Sequence, residues 1–539
     1  MHVNDPVAEV GYSQSSQEEE VAMESDAQPL PPPPPPVEKT EKMHIFKHHT
    51  ESKGGLVEIG IIYGNVGTTT FNIMLTGEIE KLEYVQTEHD QLGWILGQIM
   101  EIERLTDLTL DRVPELAKSG VDIHDKEIAK VSLIGYRDER NLLQSPRTPL
   151  RAGGKVYKGC DDLIRQIIGL KEGTDTGAYI GLLSGHDIRI ELDINKMAQK
   201  HVSILAMTGA GKSYCSGALI EEFMKHDVTT VVIDSHGEYH TLGEKGKIEK
   251  TSRNFGVHPR GYADKIVEFA ANTTINRDAK PLRFTLASLD ARDILSLTNI
   301  KNIRSYLTML RQTIDVLKEA KGDFSLKDVI DALLATEDAQ VNTLVNELEY
   351  LQETEIFADK GTKIDELVRK GKCTIINLKG APPDIQELIV NRVCASLFEL
   401  RKADKVPPMM LVVEEAHNYA PQQGKACSTK TLRTIASEGR KFGLGMTLIS
   451  QRPAKVDKNV LSQCNTQIIL KVLNPNDLKA ISASIEGLTA SMEEEIQRLP
   501  IGTALVTGGG TSMPLFVDIR PRETKHGGES IEIVPSKRM

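Results

Sequence analysis

Apolar and polar positions divide the chain into three stretches of different rhythm. Residues 1–45 show no apolar periodicity; Glu, Ser and Pro dominate, with an unbroken run from Pro31 to Pro36. Such a stretch cannot bury enough apolar surface to offset the ordering of its backbone. It is expected to be a disordered tail with a polyproline II segment. From Gly54 to about Glu191, short runs rich in β-branched residues are punctuated by glycine: Val57–Leu75, Ala129–Tyr136 and Ala178–Gly185. They predict a small β-barrel over 54–191, with helical pieces near Trp94–Arg104 and Cys160–Leu170.

Beyond His201 the rhythm changes. Apolar runs suited to buried strands occur at His201–Met207, Thr229–Asp234, Cys373–Leu378, Met409–Glu414, Met446–Ser450, Thr466–Val472 and Thr503–Thr507. Helical patterns fall between them, and this alternation predicts a parallel α/β sheet. About 263–371 there is a long helical stretch without strands, including Ile303–Ala320, which reads as an insertion decorating the sheet.

Length and composition narrow the class. A chain of 539 residues is too long for one core, so two or three domains are expected. No apolar run approaches the about 18 residues of a membrane span, and no signal core follows the start, so a cytoplasmic, non-membrane protein is expected. Cys160, Cys215, Cys373, Cys394, Cys427 and Cys464 form no C-x-x-C pair, which argues for reduced thiols over zinc or disulfides. Net charge is −11, and the first 50 residues hold nine acidic against three basic residues. The remainder is nearly balanced. This argues against a large basic face while permitting nucleic acid held by a few cations in a channel.

The chemistry begins at ILAMTGAGKS, Ile204–Ser213. An apolar run, a glycine-containing turn, Lys-Ser and a helical pattern form the layout of a phosphate-binding P-loop. Thr208, Gly209, Ala210 and Gly211 would wrap the phosphates with backbone N–H groups. Lys212 would reach the β- and γ-phosphates, Ser213 would ligate Mg²⁺, and Tyr214 follows at the helix start. The first glycine of the usual pattern is replaced by Ala206, small enough to hold the strand end.

Four further segments supply partners. MMLVVEEAHNYAP, Met409–Pro421, ends a strand in Glu414 and Glu415. Glu414 would hold Mg²⁺ through water, and Glu415 would polarise the attacking water. VVIDSHGEYH ends another strand in Asp234, suited either to the metal network or to a turn. GMTLISQRP places the amide of Gln451 at a strand end, where it can donate to the γ-phosphate and accept from water. Arg440, at the end of TLRTIASEGRKFG, is a candidate to neutralise transition-state charge from a neighbouring subunit, or a helix-terminal cation.

Together, MTGAGKS, DSHGEY, VVEEAHNYAP, SEGRKFGLGMTLISQRP, LSQCNTQIILKVLNPND and RPRETKHGG resemble the HerA DNA translocases of archaea, in the HerA/FtsK branch of P-loop ATPases. The resemblance spans about Gly54 to Gly528, with GYRDER and Arg147–Tyr157 in familiar places. It implies an α/β RecA-like P-loop ATPase core over 192–515 with a helical insertion, preceded by a HAS-barrel-like domain. A strap from about Phe516 to Met539 would cross to the next subunit. It implies ATP and Mg²⁺ as cofactors, a homo-hexamer with double-stranded DNA in its channel, and a NurA-type nuclease as partner in DNA end resection. Lys212 and Ser213 match the P-loop lysine and hydroxyl, Glu415 the catalytic glutamate, Gln451 the sensor and Arg440 the finger in trans. Lys200 stands where the family often places a basic residue near the phosphates. Lys245, Lys247, Arg253 and Arg260 are candidates for phosphate contacts in the channel, or simply solvated charges.

The same residues bear on other functions. A DNA pump of conjugation or division usually carries membrane helices or a C-terminal DNA-reading module, and the sequence displays neither. A GTPase would want N-K-x-D, which Asn195-Lys196-Met197-Ala198 fails at its last position. A nucleotide-locked scaffold for a nuclease would not need Glu415, Gln451 and Arg440 together.

Overall fold

The computed structural model describes residues 55–528 except 107–117, 119–124, 248–249, 486–487 and short gaps between 287 and 359. The tail expected over 1–45 lies outside these residues. The first sheet contains β1 (Glu58–Tyr63), β2 (Thr70–Leu75), β3 (Tyr84–His89), β4 (Gly93–Leu105), β5 (Lys126–Arg137), β6 (Leu143–Gln144) and β7 (Lys155–Lys158). Its order is β2-β1-β7-β3-β4-β5-β6, and the pairing of β2 with β5 closes six of these strands into a barrel. Alternate side chains point inward, so Ile59, Phe71, Ile73, Val85, Ile95, Val131 and Val156 fill the interior.

Trp94–Arg104, expected as a helix, is instead most of β4. Its register against β5 shifts between Leu96 and Gly97 and again between Ile99 and Glu101. Each bulge breaks the period of two. The apolar residues Ile95, Ile99 and Ile102 consequently fall at spacings of four and three, which mimics a helix face. Gly97 has a packing reason as well, since a Cβ there would come within 2.6 Å of Val131 Cγ1. The second expected helix does form, over Asp161–Ile168, and ends at Gly169 in the left-handed region, φ 76°.

Among the described residues the second sheet has twelve strands. Its parallel part is β13 (Lys280–Pro281), β12 (Ile266–Ala270), β14 (Cys373–Asn377), β11 (Thr229–Asp234), β15 (Met409–Val413), β16 (Leu444–Ser450), β10 (Val202–Leu205) and β17 (Thr466–Ile469), in that order. Antiparallel β18 (Thr503–Thr507), β19 (Leu515–Ile519), β8 (Gly177–Leu183) and β9 (Arg189–Asp193) complete it. Every residue of β10, β11, β14, β15 and β16 is buried, because helices cover both faces.

Two assignments change here. Ala178–Gly185, read as barrel, supplies β8 and belongs to the larger sheet through its pairing with β19. The insertion at 263–371 is not free of strands: β12 and β13 extend the sheet edge beyond β14. Its helices Ile303–Lys321, Leu326–Leu334 and Val341–Glu353 do pack together, and Leu310, Leu333 and Leu348 share a core with Val231 and Leu411.

The segment expected as a strap begins inside this chain's own sheet. Phe516–Ile519 lies within β19, and the following segment folds back on the P-loop helix, Lys212–Lys225. Arg520 is wholly buried and pairs with Glu221 at 2.9 Å and Glu222 at 2.8 Å. The backbone N–H of Thr524 donates to Glu221 at 2.9 Å. Residues 521–524 are therefore buried against this chain's own helix, whereas Lys525 and Gly528 are exposed; residues 529–539 lie outside the described ones.

Candidate nucleotide site

Because β10, β11, β15 and β16 run parallel, the loops that follow them open on one edge of the sheet. The P-loop follows β10. Gly209 and Gly211 have φ of 80° and 96°, a region closed to most side chains, and they turn the chain so that its backbone can face an anion. Gly211 caps the fourteen-residue P-loop helix, whose first N–H groups point into the same space. Ala206 is fully buried, which suits its place at the strand end.

The edge collects the acids. Glu415 is left-handed, φ 49° and ψ 44°, at the junction of β15 and the short helix Ala416–Tyr419. That conformation costs a non-glycine residue about 1–3 kcal/mol and here aims the carboxylate at the P-loop. Lys212 Nζ is bonded to Glu415 Oε1 and stands 3.8 Å from Glu414. Gln451, at the end of β16, donates its amide N–H to the same Glu415 oxygen at 3.0 Å, while Thr208 donates its hydroxyl to Gln451 Oε1. Lys212, Glu415, Gln451 and Thr208 thus form one connected group before any phosphate arrives.

Glu414 is 0% exposed, and neither carboxylate oxygen accepts a hydrogen bond. Burial, reinforced by the nearby Asp234 charge and opposed by Lys212, pushes its carboxyl well above the ordinary range. A buried acid left without donors fits a cation. Among the described residues no three His, Cys, Asp or Glu side chains form a metal cage. Glu414 could serve Mg²⁺ together with the Ser213 hydroxyl of the P-loop, with phosphate oxygens and water completing the set.

Asp234 does not share that freedom. Its carboxylate accepts N–H bonds from Gly237 at 2.8 Å, Glu238 at 3.1 Å and Tyr239 at 2.9 Å. Burial raises its pKa against the pull of these donors. The residue shapes the turn after β11, and the geometry favours that role over a metal ligand.

Lys200 and Arg440 lie elsewhere. Lys200 ends the helix before β10, and Arg440 sits just before β16, so both are exposed at the opposite edge of the sheet. The seven residues of β16 span roughly 23 Å, placing Arg440 out of reach of Gln451 in the same copy. Lys245, Lys247, Arg253 and Arg260 are exposed in the stretch after β11; Lys245 bridges Thr524, and the Arg260 N–H donates to Glu523 O at 2.8 Å.

Two cavities flank the P-loop. One, about 850 Å³, is polar and lined by Glu415, His417, Gln451, Arg452 and Lys455. The other, about 530 Å³, is lined by Gly211, Tyr214, Leu470, Ile501, Pro521 and His526 and is mainly apolar. Ile501 is 76% exposed, and Tyr214 meets the ring of His526 edge-on at 5.8 Å. The first cavity touches the acid edge through Glu415 and Gln451, and the second touches the start of the P-loop helix through Gly211 and Tyr214. The second cavity and His417 escaped sequence reasoning. His417 sits two places after Glu415, a local signal; the cavity needs β17, β18 and the final segment to meet.

A mixed sheet with a P-loop after its central strand, and an acid pair and an amide at neighbouring strand ends, defines a P-loop ATPase of RecA-like architecture. A model of the HerA helicase central domain matches residues 178–397. A probable DNA double-strand break repair helicase HerA of Methanocaldococcus jannaschii is 31% identical over 522 residues, covering 88% of this chain and 97% of that protein. The DNA double-strand break repair helicase HerA of Pyrococcus furiosus is 26% identical over 538 residues, covering 88% and 96%. The chain belongs to the HerA helicase family. Among solved structures, VirB4 of Thermoanaerobacter pseudethanolicus aligns with a TM-score of 0.47 at 14% identity, over 65% of this chain and 98% of that one. The bacterial conjugative coupling protein TrwB gives 0.46 at 14% identity, over 67% and 92%.

Proposed function

We propose that this chain is an ATP-driven translocase of double-stranded DNA. It works as a ring of six and acts with a NurA-type nuclease to resect DNA ends for recombinational repair. The observation that carries the ring is the split between the sheet edges. Lys212, Glu415 and Gln451 meet at one edge, and the two remaining candidate cations lie at the other. A site complete in all five needs the far edge of a second copy, as head-to-tail contacts in a closed ring provide.

In this reading ATP binding draws Lys212 from Glu415 to the β- and γ-phosphates. Glu415 is then free to polarise water, and Gln451 to orient it toward the γ-phosphate. Mg²⁺ held at Ser213 and Glu414 supplies neutralisation of phosphate charge. Arg440 and Lys200 of the neighbour enter last and stabilise charge that develops only in the transition state. Motion follows because the seam closes and opens with each turnover. DNA contacts in such a channel go to phosphates, so few cations per copy suffice and affinity is salt-dependent.

The test is ATP turnover by the full chain with and without linear duplex across a salt series. Stimulation by duplex at low salt that fades as salt rises supports the reading. Turnover indifferent to duplex at every salt concentration would contradict it.

A further inference from the structure

Glu415 has two carboxylate oxygens, and the site described so far uses one. Oε1 takes both Lys212 and Gln451, whereas Oε2 is buried and accepts no hydrogen bond. What faces Oε2 is His417, whose Nδ1 stands 3.3 Å away, in ion-pair range but outside hydrogen-bond alignment. The same Nδ1 lies 3.1 Å from the hydroxyl of Ser450. Ser450 is wholly buried, and its Oγ accepts the N–H of Arg452 at 3.0 Å.

These contacts close a loop. Ser450 is the last residue of β16, and Gln451 follows it directly. The end of β16 therefore addresses both oxygens of Glu415, Oε1 through the Gln451 amide and Oε2 through Ser450 and His417. Burial depresses the His417 pKa, with the Glu415 charge pulling the other way and the cations Lys212, Arg452 and Lys455 adding to the depression. A neutral ring has one proton. A carboxylate oxygen can use only a donor, so Nδ1 serves Oε2 in the tautomer that carries the proton there, in which the same N–H also reaches Ser450 Oγ.

We infer that His417, its Nδ1–H shared between Ser450 Oγ and Glu415 Oε2 as a three-centre bond, is a positioning residue that takes hold of Oε2 when Lys212 departs for the phosphates. With Lys212 in place the carboxylate leans toward the lysine, and the His417 contact stays long. Once the lysine leaves, a shift of a few tenths of an ångström seats Oε2 on the Nδ1–H. Glu415 is then held by two neutral donors, Gln451 and His417, and keeps its charge for the water. This inference rests on the proposed role of Glu415 as the base of ATP hydrolysis.

The test uses the full chain with ATP. H417A is expected to lower kcat at least tenfold with KM for ATP within twofold, since a misplaced base slows chemistry and leaves binding intact. H417N, whose amide N–H can occupy the place of Nδ1–H, is expected to recover to within about threefold of wild type. H417Q, which extends its amide to the place of Nε2, is expected to stay with H417A. S450A, a smaller change that keeps the ring, is expected to lower kcat severalfold and covers the case in which H417A fails to fold. Wild-type kcat in H417A, or equal impairment of H417N and H417Q, overturns the inference. E415Q turning over ATP at the wild-type rate would instead remove the role of Glu415 itself, and the inference with it.

Discussion

If Arg440 serves the neighbour's site, two dead variants should revive each other. E415Q lacks the base at every site, and R440A lacks the finger at every seam. In the structure the two positions lie at opposite edges of one sheet, with the roughly 23 Å of β16 between them, so neither can complete its own copy. Each variant alone is expected to lose at least about a thousandfold in turnover, the lower end for a transition-state arginine. In rings co-assembled at equal ratio, a seam works when its base comes from the R440A copy and its arginine from the E415Q copy. Random assembly gives about one seam in four. The assay is steady-state ATP hydrolysis by co-expressed, dual-tagged rings, normalised to wild-type rings of equal subunit concentration. About a quarter of wild-type activity is expected if seams fire independently, and less if firing is coordinated around the ring. Activity no greater than the sum of the parents, in rings verified as mixed, would refute the shared site.

Further outcomes follow from the same geometry. Lys212→Ala should abolish turnover, whereas Glu415→Gln should still bind ATP, a difference read by equilibrium binding. Glu414→Gln should stabilise the nucleotide-free protein while eliminating turnover. The buried Glu414 carboxyl keeps its proton above the ordinary value of 4.5, so the folded chain binds more protons than the unfolded one, and stability falls as pH rises past that value. The gain in Tm should thus be present at pH 7–8 and vanish as pH approaches 4.5. Arg520→Ala leaves Glu221 and Glu222 buried without their partner and should cost about 3–5 kcal/mol, seen as a lower Tm and earlier proteolysis of the C-terminal segment.

The site was legible in the sequence where chemistry coincides with strand order. Lys212, Glu415 and Gln451 each follow an apolar run, and parallel strands bring such ends together without further information. Asp234 was ambiguous for the same reason: a strand-end acid can serve a metal or a turn, and only the three N–H groups beside it decide. Period counting failed at β4, where two bulges turn a strand's alternation into helical spacing. It also failed at β12, five residues between the edge strand β13 and β14, within a helical stretch. The fate of the C-terminal segment was hidden because its partners lie about three hundred residues earlier. Nothing local to Arg520 reports that Glu221 and Glu222 await it.

In the proposed ring, ATP cleavage at a seam between copies drives movement along an intact duplex. Displacement of a third strand from a linear triplex measures this directly, because a translocase strips that strand while leaving the duplex paired. Wild-type protein with ATP should displace it, and E415Q, or wild type with a non-hydrolysable analogue, should not. Vigorous ATP hydrolysis in the presence of the triplex with the third strand left in place would contradict the account.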